Sequence, residues 1–204
     1  MLQHPAAVRA GFAAGATTML AALRGVQPEY WDRPGALGDW TSRELAAHTL
    51  RAFITVEGYL MAEPTTDRVL ADAEEYYQTT LSNVGVHQGV AARARQAGRQ
   101  LIDPVGEAET VVTHVLALVA STADDEPVNS PSGQMTLIEY LATRVVELGV
   151  HTLDLQRATG QPLELHPDTA AVVVHVLTGL AAPVPLVLAL SGRASLPPNY
   201  NVLG

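Results

Sequence analysis

The sequence predicts an all-α fold, a four-helix bundle followed by a short C-terminal helical extension. Apolar residues make up 48% of the 204-residue chain but aromatic residues only 5%, a composition that favours helix-on-helix packing. Successive segments begin at capping residues and end at Gly or Pro, and no stretch shows a convincing strand pattern. We expect residues 1–160 to form the bundle, and residues 161–204 to form the extension with a Pro-rich tail packed on it.

The first two helices are predicted from their ends. An Ala-rich helix over residues 5–25 ends near Gly25, and the turn-rich connector PEYWDRPGALGDW follows it. Thr41 and Glu44 are three positions apart, the spacing of a capping box, in which each residue satisfies a free backbone N–H of the other. They predict a second helix that runs to about residue 62.

The middle of the chain is predicted to form three more helices, over residues 67–82, 86–102 and 105–121. The stretch STADDEPVNSPSGQ, residues 121–134, has the composition of a loop. Thr136 and Glu139 predict a second capping box, which opens a helix that ends at Gly160.

The last apolar stretch is long enough to raise the question of a membrane span. From Ala170 to Leu190 there is no Asp, Glu, Lys or Arg, and the stretch is about as long as a bilayer requires. His175, Pro183 and Pro185 interrupt it, so we expect a buried helical hairpin and no membrane contact.

Charge and cysteine content exclude some functions. The net charge of −9 argues against a nucleic-acid surface, which requires clustered basic residues. The chain has no cysteine, so that any metal must be bound by His, Asp or Glu.

The segment RVVELGVHTLDLQRATG, residues 144–160, carries the most informative pattern. Arg144, Glu147, His151 and Asp154 follow one another at spacings of three, four and three residues and therefore share one face of a helix. Apolar residues flank this face on both sides, which indicates burial, and buried charges must be paired or must bind a metal. The pattern predicts a polar site inside the protein.

Two interpretations of this site remain open from the spacing. Glu147 and His151 lie one turn apart and could bind one ion, for which a sulfur-free ligand set suits Zn²⁺, Fe²⁺, Mn²⁺ or Ni²⁺. The alternative is an ion pair between Arg144 and Glu147 with His151 hydrogen-bonded to Asp154.

A metal site would need a third ligand from another helix. His48, in the capped helix DWTSRELAAHTL, is the best candidate, although His114 and His175 are not excluded by the sequence. The other histidines are expected at the surface: His4, His87 and His166.

Together, DWTSRELAAHTL and YLATRVVELGVHTLDLQRATG resemble the mycothiol-dependent maleylpyruvate isomerase family, which belongs to the DinB-like metal-binding four-helix bundles. The family pattern has a Trp and a capped helix before a first His, then R-x-x-E-x-x-x-H-x-x-D, and the resemblance covers roughly residues 5–160. It implies that His48, Glu147 and His151 bind one divalent metal, most often zinc.

The Arg and Asp of the family pattern match Arg144 and Asp154. Our hypotheses are that Asp154 fixes a ligand imidazole and that Arg144 anchors a carboxylate of the thiol or the substrate. The residues that carry out the chemistry are not identified. Tyr76 and Tyr77 could contact the thiol's sugar, but an exposed helix surface is the simpler interpretation.

The implied function is a metal-dependent enzyme with mycothiol as co-substrate. The metal would lower the pKa of the thiol, for S-transfer to a small electrophile or its cis–trans isomerisation. Complete isomerases carry a second, sterol-carrier-like domain, for which the 44 residues after Gly160 are too few. The alternatives are a thiol-independent hydrolase or lyase, and a non-catalytic bundle with a structural metal. We expect a cytoplasmic monomer or homodimer.

Overall fold

The structure, a computed structural model, describes residues 4–82 and 84–203, with the backbone alone for residues 84–88. The helices of this part are α1 (Pro5–Arg24), α2 (Ser42–Leu60), α3 (Ala73–Leu81), α4 (Val84–Gln100), α5 (Pro104–Ser121), α6 (Leu137–Ala158), α7 (Pro167–Leu180) and α8 (Pro183–Leu190). A 3₁₀ turn spans Pro28–Tyr30, and the short strands are β1 (Pro34–Leu37), β2 (Trp40–Thr41), β3 (Pro127–Ser130) and β4 (Gly133–Thr136).

Helices α1, α2, α5 and α6 pack around one hydrophobic core, and α6 contacts both α1 and α2. The rings of Phe12 and Phe53, 5.1 Å apart, join α1 to α2. The largest side chains buried in this core include Tyr140, Met19, Leu23, Leu45, Leu137, Leu141 and Leu148. The predicted all-α bundle is confirmed.

Among the described residues, α1 is the one helix long and apolar enough to cross a membrane by length and composition alone. The core helix of a bundle passes the same test. In α1, Val8, Phe12, Met19 and Leu23 lie at helical spacing and are buried against the other helices. These contacts account for its apolar composition.

The prediction that the chain contains no strands is wrong at two places. β1 pairs with β2, and β3 pairs with β4, each as a short antiparallel hairpin. The second hairpin begins inside residues 121–134, where a loop was predicted, and ends at Thr136, and it aligns Val128 with Met135 in the core. Strands of two to four residues are too short to show an alternating pattern.

The third helix begins later than predicted, at Ala73 rather than near residue 67. Leu70 donates its N–H to the carbonyl of Gln134, and Gln134 donates to the carbonyl of Arg68. These backbone groups bind the β-hairpin and are not available to a helix, so that α3 begins only after Asp72, whose side chain caps it.

The first predicted capping box is confirmed. The side chain of Glu44 accepts from the N–H of Thr41 at 2.8 Å, and the hydroxyl of Thr41 accepts from the N–H of Glu44 at 3.2 Å. Because both bonds are present, the start of α2 is well defined, and His48 lies less than two turns into the helix.

The second predicted capping box is wrong. The hydroxyl of Thr136 makes no cap bond to α6. The N–H groups of Leu137 and Ile138 donate instead to the carbonyls of Glu126 and Asp124, at 2.8 and 3.0 Å. The preceding loop therefore satisfies the free N–H groups at the start of α6, and side-chain caps are not needed.

The predicted glycine stop of α6 is confirmed. Gly160 has a φ of +70°, a conformation that side chains with a Cβ disfavour. This turn allows the N–H of Gln161 to donate to the carbonyl of Gln156 at 2.8 Å, a Schellman motif.

The apolar stretch from Ala170 to Leu190 is buried only in part. Helix α7 packs on α1 and α6, and its buried residues are Thr169, Val172, Val173 and Val176. No residue of α8 is buried, so the prediction of a buried hairpin is wrong for its second helix. The boundary at residue 160 between bundle and extension stays a prediction.

Glycine allows α7 to approach α1 closely. A Cβ at Gly11 would lie 2.9 Å from a methyl group of Val172 and 3.1 Å from the carbonyl oxygen of Asp168. In addition, Thr169 donates its hydroxyl to the carbonyl of Gly11 at 2.9 Å. The contact therefore has no room for a side chain on this part of α1.

We expect Gly11→Ala to lower the free energy of unfolding by about 1–3 kcal/mol, because the added methyl group overpacks the contact with α7. The matched control is Gly58→Ala in α2, where nothing lies within 4 Å of an added Cβ. This control should raise the free energy of unfolding by about 0.5–1 kcal/mol. Urea unfolding measures both values, and equal effects would contradict the close contact between α1 and α7.

Candidate metal site

The fold brings His48 of α2 against Glu147 and His151 of α6. The Nε2 atoms of His48 and His151 lie 3.8 and 3.4 Å from the same carboxylate oxygen, Oε2 of Glu147. The two imidazole rings are 4.9 Å apart between centroids and nearly perpendicular, at 75°. Side chains from positions almost half the chain apart therefore meet at one point.

The geometry fits a divalent metal. One potential ligand atom from each of the three side chains lies within 4.8 Å of the others, and no other such cluster occurs among the described residues. Zinc bonds of about 2.0–2.1 Å in a tetrahedral site would place ligand atoms roughly 3.3 Å apart, close to the distances from Glu147. The side chains of His48, Glu147 and His151 remain 15%, 24% and 14% exposed, so that a small molecule could reach them.

The remaining histidines lie away from this cluster in the described part of the chain. His114 is exposed and its Nε2 lies 2.9 Å from a carboxylate oxygen of Glu57. His175 is exposed on α7. His4 and His166 are exposed helix caps, as predicted, whereas the side chain of His87 lies outside the described residues.

Asp154 contacts His151 on the side of the ring away from the cluster. Its Oδ2 lies 3.2 Å from Nδ1 of His151, and its Oδ1 accepts from Arg157 at 2.6 Å. A proton on Nδ1 that is held by Asp154 leaves Nε2 free to face Glu147. Sequence reasoning did not identify Arg157, although its spacing of three residues from Asp154 would have been a signal.

Tyr77 of α3 contacts the other oxygen of Glu147. Its hydroxyl lies 3.1 Å from Oε1 of Glu147 and 3.1 Å from the carbonyl oxygen of Thr143. The residue is only 5% exposed, so its interpretation as part of an exposed helix surface is wrong. Ala73 and Tyr77, four positions apart, are the buried residues of α3, a spacing that could have indicated an inward-facing side.

Trp40 packs against His48. The Trp40 and His48 rings meet edge to face, with a centroid distance of 5.1 Å and an angle of 74° between their planes. Trp40 is buried at the end of the β1–β2 hairpin, just before the cap of α2. The Nδ1 atom of His48 is buried and has no hydrogen-bond partner among the described residues, so that packing rather than hydrogen bonding orients this ring.

Arg144 is a buried cation without a carboxylate partner in the described part of the chain. It donates from Nε to the hydroxyl of Thr143 at 3.0 Å and from Nη2 to the hydroxyl of Tyr76 at 3.4 Å. Its guanidinium lies 4.7 Å from the ring centroid of Tyr140, a cation–π contact. The alternative ion pair between Arg144 and Glu147 is therefore not formed.

The pKa values in the site follow from burial and from neighbouring charges. Burial opposes the charge on Glu147, but the hydrogen bond with His151 and the charge of Arg144 outweigh it and lower the pKa of the carboxyl group. Burial also opposes the charge on His151, but hydrogen bonds with Asp154 and Glu147 raise its pKa to about 9. Burial and the charge of His151 lower the pKa of His48 to about 4.

Residues 5–156 match the protein family described as "Mycothiol maleylpyruvate isomerase N-terminal domain". The chain belongs to this family. The resemblance deduced from the two helix motifs is confirmed, and a DinB-like bundle is consistent with the observed fold. No curated protein and no solved structure matches the chain. The family match ends within α6 and does not include α7 and α8.

If His48, Glu147 and His151 bind a metal, binding should release protons. With no ion bound, His151 is protonated at pH 7 and His48 is neutral, because their pKa values are about 9 and about 4. A metal needs both Nε2 atoms free of protons. We therefore expect about one proton released per ion at pH 6–7, with less released as the pH rises through 9.

Calorimetry in buffers of different ionisation enthalpy measures this proton release. Asp154→Asn serves as the comparison, because loss of the carboxylate lowers the pKa of His151 and should reduce the proton release at pH 7. Wild-type protein that binds the ion at pH 6 without releasing a proton would contradict the assignment of a charged His151.

Proposed function

We propose that the chain is a metal-dependent enzyme that activates a low-molecular-weight thiol, mycothiol, for reaction with a small electrophilic substrate. The reaction is either S-transfer to the substrate or its cis–trans isomerisation. The observation that supports this proposal is the convergence of His48, Glu147 and His151 on one partly exposed point, in a chain that belongs to the mycothiol maleylpyruvate isomerase family.

In this proposal His48, Glu147 and His151 hold one divalent ion, and their nitrogen and oxygen atoms suit zinc. A bound ion would supply a Lewis acid that lowers the pKa of a thiol to near neutrality. Asp154 keeps a proton on Nδ1 of His151, which fixes the ring so that Nε2 points into the site.

Arg144 is proposed to anchor an anionic group of the substrate or the thiol. A buried guanidinium that contacts no carboxylate is compensated only by the more distant charge of Glu147 and by its hydroxyl and ring contacts. An anionic ligand that reaches Arg144 would supply the missing partner through charge-assisted hydrogen bonds. Tyr76 and Tyr140 hold the guanidinium in place for it.

The number of protein ligands favours this proposal over a structural metal. Structural zinc sites are closed by four protein ligands, whereas catalytic sites use three and keep one position open. Only three candidate ligands converge among the described residues, and each is partly exposed. A thiol-independent hydrolase or lyase would use the same three ligands, and turnover without added thiol would identify it. We expect a cytoplasmic monomer or homodimer.

Metal content provides the first test of the proposal. We expect about one divalent ion per wild-type chain after incubation with zinc, and loss of the ion in His48→Ala and His151→Ala, because two ligands hold zinc poorly. His114→Ala is the matched control. It removes an exposed histidine that is paired with Glu57 and should keep the ion. Elemental analysis of the purified proteins gives the ratios.

If the wild-type protein stays free of metal after incubation with zinc, the cluster is a network of ion pairs, and the enzyme proposal is wrong. Loss of the ion in His114→Ala as well would show that the substitutions act on folding in general.

Arg144 can be tested with two electrophiles that share the same thiol. For an anionic electrophile, we expect Arg144→Ala to lower kcat/KM by about 10–100-fold, the effect of a lost charge-assisted hydrogen bond. For an uncharged electrophile, Arg144→Ala should lower kcat/KM much less. Arg144→Lys keeps the positive charge but loses the planar guanidinium that can donate two parallel hydrogen bonds. Its kcat/KM for the anionic electrophile should lie between those of the wild type and Arg144→Ala. Equal loss with both electrophiles and an unchanged metal content would assign Arg144 to the thiol instead of the substrate.

A further inference from the structure

The two carboxylate oxygens of Glu147 have different partners. Oε2 faces Nε2 of His151 at 3.4 Å and Nε2 of His48 at 3.8 Å. Oε1 faces the hydroxyl of Tyr77 at 3.1 Å. A carboxylate beside an ion can bind through one oxygen or through both, and in this arrangement only Oε2 points to the place where the two histidines meet.

Tyr77 acts as a proton donor to Oε1. An ionised carboxylate can only accept, so the proton of this hydrogen bond comes from the hydroxyl of Tyr77. The carbonyl of Thr143, on the same helix as Glu147, lies at the same distance of 3.1 Å and shares this one proton. The hydroxyl is thereby held against one turn of α6.

The position of Tyr77 depends on three neighbouring helices. Helix α3 contacts α4, α6 and α7, and the side chain of Asp72 caps its first turn at 2.8 Å. On the α7 side, the flexible side chain of Glu74 lies over Gly179. The tyrosine is therefore presented to Glu147 by a helix that three others contact and that buries Tyr77.

We propose that Tyr77 is a positioning residue that holds Oε1 of Glu147 and limits this glutamate to one metal-binding oxygen, which keeps a coordination position open for a small molecule. This inference rests on the proposed function. Without the hydroxyl, Oε1 is free to turn toward the ion, and the glutamate can occupy two positions instead of one. Tyr77 thus determines how the ligand binds, without binding the ion itself.

The test compares Tyr77→Phe with Tyr140→Phe. Tyr140 is a matched control because it is fully buried in the same aromatic cluster, and its hydroxyl donates to Thr55 at 2.8 Å rather than to a metal ligand. Both substitutions remove one buried hydroxyl and keep the ring. Zinc affinity is measured by competition with a chromophoric chelator, and the coordination number by the visible absorption of the Co²⁺-loaded proteins.

We expect Tyr77→Phe to bind zinc about 10–100-fold more weakly than the wild type, because the carboxylate of Glu147 loses its orienting partner. Its Co²⁺ spectrum should differ from that of the wild type, since a second glutamate oxygen either takes the open position or raises the coordination number. Tyr140→Phe should keep the wild-type zinc affinity within about twofold and an unchanged Co²⁺ spectrum, because its hydroxyl contacts no metal ligand.

Tyr77→Phe with wild-type zinc affinity and a wild-type Co²⁺ spectrum would overturn this inference and leave the proposed metal site intact. Equal changes in both variants would also overturn it, because they would reflect the loss of any buried hydroxyl. Wild-type protein that binds neither ion would instead refute the proposed function on which the inference rests. Unfolding of the metal-free variants shows whether each substitution retains the fold.

Discussion

The burial of one polar face of α6 is the constraint on which the rest of the structure depends. Arg144 and Asp154 are 8% and 9% exposed, and Glu147 and His151 lie between them on the same face. A buried charge without compensation costs several kcal/mol (about 3–5 when a partner is removed). The compensating groups come from separate parts of the chain: α2 supplies a histidine, α3 supplies two tyrosine hydroxyls, and the last turn of α6 supplies an arginine. The bundle must therefore hold α2, α3 and α6 in one arrangement for the polar face of α6 to be compensated.

Local signals in the sequence predicted the parts of this arrangement that lie within one helix. The capping box of α2, the glycine stop of α6 and the buried polar face depend on residues within one helix whose successive spacings are five positions or fewer, and each follows from helix geometry. The choice of His48 over His114 and His175 depended on the family resemblance, because convergence of α2 on α6 is a tertiary event. Local composition pointed the other way, since His114 and His175 have more apolar neighbours and yet are exposed. The β-hairpins were missed because short strands have too few residues to show a period.

Helix α7 shows that the family match does not contain all the contacts that support the site. The match ends at residue 156, whereas α7 lies against α1, α3 and α6. Close approach at Gly11 of α1 ties α7 to the bundle, and α7 also contacts α3, the helix that carries Tyr77. Buried side chains of α7 also cover Gly149, where a Cβ would lie 2.7 Å from Val173. Gly149 is two residues from both Glu147 and His151, so α7 packs directly behind the proposed ligands.

The site contains two features that the described residues do not complete, and their spacing constrains the proposed substrate. Arg144 has no carboxylate partner, and only three candidate ligands converge on the proposed ion. Arg144 and Glu147 are three residues apart on α6, which corresponds to a rise of about 4.5 Å along the helix axis. A single small molecule could therefore meet the guanidinium with an anionic group and place its reactive carbon near Glu147. Such a molecule would have only a few bonds between the two groups. Because the spacing fixes the separation of these two groups, an electrophile whose anionic group lies a few bonds from its reactive carbon matches the arrangement proposed here.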